Sequence, residues 1–176
     1  VAVATFEGVT VPIAVGDFNE NPRGLTDRII ALGQPQHGDA RLGADGEILY
    51  TPSATFQGSD SFTYTVRDSE GYRDEGAVLV GVRSQPDPAA VAPAVDPSTP
   101  TRLHDTVAYR LGGGNATQLN IYPDGLDPQR TALLVGRVQD RDGAGLGRVT
   151  VRVVGSLAQG ITATRADGRF EVVAEG

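Results

Sequence analysis

The chain has 176 residues, a formal net charge of −7, and neither Cys, Met nor Trp; all 15 of its basic residues are Arg. Without Cys there are no disulfides, thiolate metal sites or thiol nucleophiles, and no apolar run approaches the about 18 residues that span a bilayer. The acids concentrate in the first half, where 12 stand against 6 Arg over residues 1–85, with 10 against 9 Arg over residues 86–176. That balance argues against nucleic acid and anionic membrane surfaces as partners.

From the start of the chain, short alternating runs recur between turn signals. Val9, Val11, Ile13 and Val15 alternate with Thr10, Pro12 and Ala14, the pattern of a half-buried strand. Ile30 and Leu32 suggest a second strand, ended by Gly33 and Pro35. Asp45-Gly46 is a tight hairpin signal between strands over 40–44 and 47–51. Phe62, Tyr64 and Val66 alternate with Thr63 and Thr65, a turn at Ser69-Glu70-Gly71 follows, and Val78, Val80 and Val82 close the set. Six or seven short strands without helical periodicity predict a Greek-key β-sandwich over residues 1–85.

Five prolines between Pro86 and Pro100, with no periodic apolar pattern, predict a semi-rigid spacer over 86–102. Residues 103–129 read as an irregular connecting segment, interrupted by Gly112-Gly113-Gly114 and turned at Pro123-Asp124-Gly125. Strand patterns return at 133–138 and at Val149, Val151 and Val153, then on both sides of Asp167-Gly168. Leu134, Val138, Val149, Val151, Val153, Ile161, Phe170 and Val172 are expected to share one apolar face. Four strands leave such a face partly uncovered, so residues 130–176 are expected to be marginal alone and to be completed by further polypeptide.

Two resemblances refine this reading. Asp45, Gly46, Tyr50, Pro52, Phe56, Gly58, Asp60, Phe62, Tyr64, Val66, Asp68 and Gly71 fill the string D-G-x-x-x-Y-x-P-x-x-x-F-x-G-x-D-x-F-x-Y-x-V-x-D-x-x-G. In this, residues 5–83 resemble the bacterial cadherin-like/Ig-like tandem module, which implies an Ig-like sandwich with Tyr64 as a tyrosine corner. Gly136, Val138, Asp140, Gly143, Leu146, Val149 and Val151, followed by Thr164, Asp167, Gly168 and Phe170, match G-x-V-x-D-x-x-G-x-x-L-x-x-V-x-V and T-x-x-D-G-x-F. That part resembles the carboxypeptidase-regulatory, transthyretin-like fold, in the version that precedes the repeats of YD-repeat (Rhs, teneurin-like) proteins. The chain as a whole then reads as all-β: an Ig-like Greek-key sandwich, a Pro-rich spacer and an incomplete transthyretin-like β-sandwich over residues 130–176.

Candidate chemistry is sparse. Asp17-Phe-Asn-Glu-Asn21 fits either the D-x-N-[DE]-N calcium string or an Asx-rich turn running into Pro22, and its loose spacing favours the turn. Asp68, Glu70, Asp74 and Glu75 read as a solvated hairpin loop. His37 and His104, the two histidines, lack a partnered nucleophile, and Asp45, Asp142 and Asp167 belong to Asp-Gly turns. The expectation is therefore no catalytic residue, no cofactor-binding residue, no metal site and no cofactor. The resemblances imply a non-catalytic fragment of a bacterial secreted or cell-surface protein, placed upstream of the shell of a YD-repeat polymorphic toxin; stalk or ligand-binding modules of an adhesin are the alternative. Expected partners are the remainder of the parent polypeptide and a protein or glycan ligand, with no nucleic acid and no membrane insertion.

Overall fold

A computed structural model describes residues 1–15, 28–94, 96, 98, 100–122 and 125–176. The chain divides into two compact units, Val1–Ser84 and Gln85–Gly176. In both, β-strands are the principal regular structure.

Among the described residues the first unit has seven strands: β1 (Ala2–Phe6), β2 (Val11–Ile13), β3 (Arg28–Leu32), β4 (Gly38–Leu42), β5 (Ile48–Pro52), β6 (Gly58–Arg67) and β7 (Arg73–Arg83). They form two sheets, ordered β1-β7-β6-β3 and β2-β5-β4. Among the described residues β1 and β7 run parallel and the other pairings are antiparallel. Strand alternation sends Phe62 and Tyr64 of β6 and Val78, Val80 and Val82 of β7 inward, where they meet Val11, Ile13, Ile48 and Tyr50 of the other sheet. The result is the Ig-like sandwich expected from the alternating pattern.

The first strand differs from the sequence expectation. The run from Val9 to Val15 was expected to be one strand, but only Val11–Ile13 is, and an unforeseen β1 precedes it. A turn at Gly8, with φ of 63°, carries the chain from one sheet to the other. The buried Thr5 hydroxyl closes that crossover by donating to the Val9 carbonyl at 2.8 Å.

In the second unit, β8 (Thr131–Arg137) pairs antiparallel with β11 (Arg169–Glu175), and β9 (Thr150–Arg152) with β10 (Ile161–Ala163). Two expectations change here. The predicted spacer enters this unit at its start: α1 (Pro88–Val91) is N-capped by Asp87, and Pro88 is buried. Gln85 donates through Nε2 to the Ala163 carbonyl at 2.7 Å. Residues 103–129 likewise do more than connect. They form α2 (Leu103–Val107) and a 3-10 turn (Ala108–Arg110), and then bury Ala116, Thr117, Gln118 and Leu119.

The expected single apolar face is also corrected. Val172, Val173 and Ala174 are buried in succession, so both faces of β11 are covered, whereas Leu134 on β8 is 51% exposed. Leu119 explains part of this. It exchanges two backbone hydrogen bonds with Ile161, at 2.8 and 2.9 Å, and so extends the β9–β10 pair with a segment that carries no strand pattern of its own.

Candidate functional site

The most concentrated polar chemistry of the first unit lies inside the sandwich. Asp60 sits on the inward phase of β6, two residues before Phe62, and is 5% exposed. Its Oδ1 accepts from the backbone N–H groups of Gln36 at 3.1 Å and Ser61 at 2.9 Å. Its Oδ2 accepts from the His37 N–H and the Tyr50 hydroxyl, both at 2.9 Å. Burial alone would raise the Asp60 carboxyl, but the hydrogen bonds from Tyr50, His37, Ser61 and Gln36 outweigh it and hold the group below the ordinary carboxylate range. Burial and the adjoining carboxylate push the Tyr50 phenol well above its usual range. An acceptor-only carboxylate surrounded by donors ties β5, β6 and the β3–β4 connection together.

The Tyr50 hydroxyl makes this tie through a side-chain carboxylate, unlike the hydroxyl-to-backbone corner expected of Tyr64. The Tyr64 ring instead covers Gly76 on β7, where a side chain would collide with its phenolic end. Burial raises the Tyr64 hydroxyl, helped by the negative charge of Asp74.

The remaining candidates also hold the scaffold. His37 stacks on Phe56 with centroids 4.1 Å apart and planes 9° from parallel, and its carbonyl accepts from the Ser53 N–H at 2.8 Å. Asp68 accepts from the N–H groups of Glu70 and Tyr72, each at 2.9 Å, which shapes the β6–β7 hairpin. In the second unit, His104 Nδ1 lies 3.1 Å from Thr131 Oγ1. Asp167 turns the β10–β11 loop; its carboxylate is held low first by the Arg169 N–H and then by Arg165, Arg169 and Arg137. The Asp17–Asn21 string lies outside the described residues. Among the described residues, no three His, Asp or Glu side chains gather as metal ligands.

Gln118 is the residue that sequence reading missed most completely. It is 1% exposed, and its Nε2 donates to the carbonyls of Gln159 at 2.6 Å and Val173 at 2.8 Å. Its Oε1 accepts from the Val173 N–H at 2.7 Å. The side-chain amide thus stands in for a neighbouring strand along β11. Nearby, Glu171 lies between Arg110 at 2.5 Å and Arg165 at 3.4 Å, and the Arg110 guanidinium stacks over Tyr109 at 4.9 Å.

Fold and side-chain chemistry together define a tandem of two β modules in which the buried Asp60 and Gln118 hold the chain together. Residues 1–81 match the family model of the bacterial Ig domain, and residues 126–176 match that of the teneurin TTR-like domain. These matches support an Ig-like module followed by a TTR-like one, all-β domains that are typically non-catalytic. No curated protein matches it. A bacterial Ig domain points to an extracellular or surface module, and no helix among the described residues is long and apolar enough to cross a membrane.

Proposed function

We propose that this chain is a non-catalytic structural and interaction segment of a bacterial secreted or cell-surface protein, lying upstream of the shell of a YD-repeat, Rhs-type polymorphic toxin. The observation that carries the reading is the order of modules: an Ig-like sandwich leads into a TTR-like module of the teneurin kind. The side-chain chemistry supports it. Asp60, His37, Asp68, Gln118 and Glu171 each hold a turn, a crossover or a strand of the scaffold. The partners are then the adjoining modules of the same polypeptide, together with a protein or glycan ligand. The test is the parent gene read beyond codon 176. Recurrent Tyr-Asp repeats support this function, while further Ig-like copies would replace it with the stalk of an adhesin.

A further inference from the structure

Residues paired directly across neighbouring strands stand on the same face of a sheet, and like charges placed opposite each other destabilise the pair. The β1-β7-β6-β3 sheet carries such an opposition at one end. Arg28 of β3 stands opposite Arg67 of β6, and Arg67 stands opposite Arg73 of β7. With neighbouring strands about 4.8 Å apart, the three make a transverse row about 10 Å long. All three are exposed, and strand alternation puts them on the outer face, since Phe62, Tyr64 and Val78 take the inner phase.

The row gathers three of the 6 Arg of residues 1–85, a stretch with 12 acids. Glu75, opposite Thr65, shares the outer face and offsets one positive charge, whereas Asp74, opposite Val66, takes the inner phase. Asp68, next to Arg67, turns its Oδ1 to the N–H groups of Glu70 and Tyr72. Among the described residues, none of the three guanidinium groups forms an ion pair. Away from the row, the same face of β6 carries the hydroxyls of Thr65, Thr63, Ser61 and Ser59. The last three are exposed and stand opposite Ala77, Leu79 and Gly81, so the hydroxyls line a low, open floor.

We propose that this face binds an anionic carbohydrate, a polysaccharide whose sugars carry carboxylates. A guanidinium stays charged at any physiological pH and presents a planar fork that meets a carboxylate through paired hydrogen bonds. A bound chain of uronic acids relieves the repulsion within the row, and its hydroxyls meet those of Thr63, Ser61 and Ser59. An extended acidic peptide fits less well. Its same-side carboxylates recur about every 6.6 Å, against the about 4.8 Å of the row, and it has no use for the hydroxyl floor. The net charge of −7 opposes any polyanion at long range, so binding is weak and sensitive to salt. This ligand is the glycan partner of the proposed function and needs no repeat shell, so a failure to bind leaves the order of modules standing.

Calorimetric titration of the full chain with oligogalacturonate at low ionic strength should give a Kd on the order of 0.1–1 mM. Arg67→Gln and Arg73→Gln should each weaken it about two- to fivefold, the effect of one exposed ion pair, and Glu75→Gln should tighten it. Arg41→Gln, on β4 in the other sheet, should leave it unchanged. Methyl-esterified oligogalacturonate, which has no charge, should not bind. Arg67→Gln should also keep or raise the urea midpoint, because its guanidinium has a like charge on each side. No saturable binding up to about 10 mM, tenfold beyond the expected range, overturns the proposal. So does a fall in the urea midpoint of Arg67→Gln, which would show the row already neutralised within the chain. Poly-glutamate binding as tightly as oligogalacturonate overturns the carbohydrate assignment and makes the partner an acidic polypeptide.

Discussion

Replacing Asp60 by Asn should weaken the first unit almost as much as replacing it by Ala, although Asn has nearly the same shape. Each carboxylate oxygen faces donors: Oδ1 receives Gln36 and Ser61, and Oδ2 receives His37 and Tyr50. An amide must present its NH₂ to one of those pairs. The Tyr50 hydroxyl can rotate, but the backbone N–H groups of His37, Gln36 and Ser61 cannot, so at least one remains opposed and unsatisfied in either orientation. With about 1–3 kcal/mol for each stranded buried group and the loss of charge-assisted bonds, Asp60→Asn should cost about 2–4 kcal/mol and Asp60→Ala about 3–5 kcal/mol. Tyr50→Phe, which removes one donor and leaves three, should cost only about 1–2 kcal/mol. Urea unfolding followed by circular dichroism, with hydrogen exchange read on peptides spanning β5 and β6, measures these losses in the right unit. An Asp60→Asn protein within about 0.5 kcal/mol of wild type would refute the reasoning, because it would show that charge and acceptor count at this position do not matter.

The same carboxylate gives a pH dependence. Its folded pKa lies below the unfolded value, so its contribution is present above the unfolded pKa of about 3.9 and is lost as pH falls through the folded pKa; urea midpoints should drop in acid, and Asp60→Asn should flatten that drop. Tyr50 and Tyr64 are shifted upward, so their contribution is complete below about pH 10 and is lost as pH rises through their folded pKa values, which alkaline urea titration of Tyr50→Phe should show as a reduced loss. Phe62→Ala should cost about 3–5 kcal/mol in urea unfolding, since the ring is 5% exposed and lies 5.8 Å from Tyr50. Gln118→Leu should cost about 3–5 kcal/mol by leaving the Val173 N–H and two carbonyls unpaired, and hydrogen exchange at Val173 should accelerate sharply.

The sandwich strands were legible in sequence where a period of two survives, as at Phe62, Tyr64 and Val66 or Val78, Val80 and Val82. β1 was not, because Ala2-Val-Ala-Thr-Phe6 lacks polar alternation and takes its place by parallel pairing with β7, 77 positions later at Ala2↔Leu79. Asp60 was visible only as a motif letter. An acid on the inward phase of an apolar strand is the signal that could have marked it as a buried, bonded carboxylate. Gln118 offered no local signal at all. It follows a glycine-rich stretch without period, and its partners Gln159 and Val173 lie 41 and 55 residues away. The same distance hid the role of residues 85–119, whose contribution to the second unit depends on contacts with β10 and β11 rather than on a pattern of their own.

The proposed place of these two modules beside a YD-repeat shell can be checked in a cryo-electron microscopy map of the full parent protein. In that map residues 1–176 should form two β modules seated at a closed β-shell. A map in which Ig-like copies repeat along an extended stalk, with no shell, would contradict it.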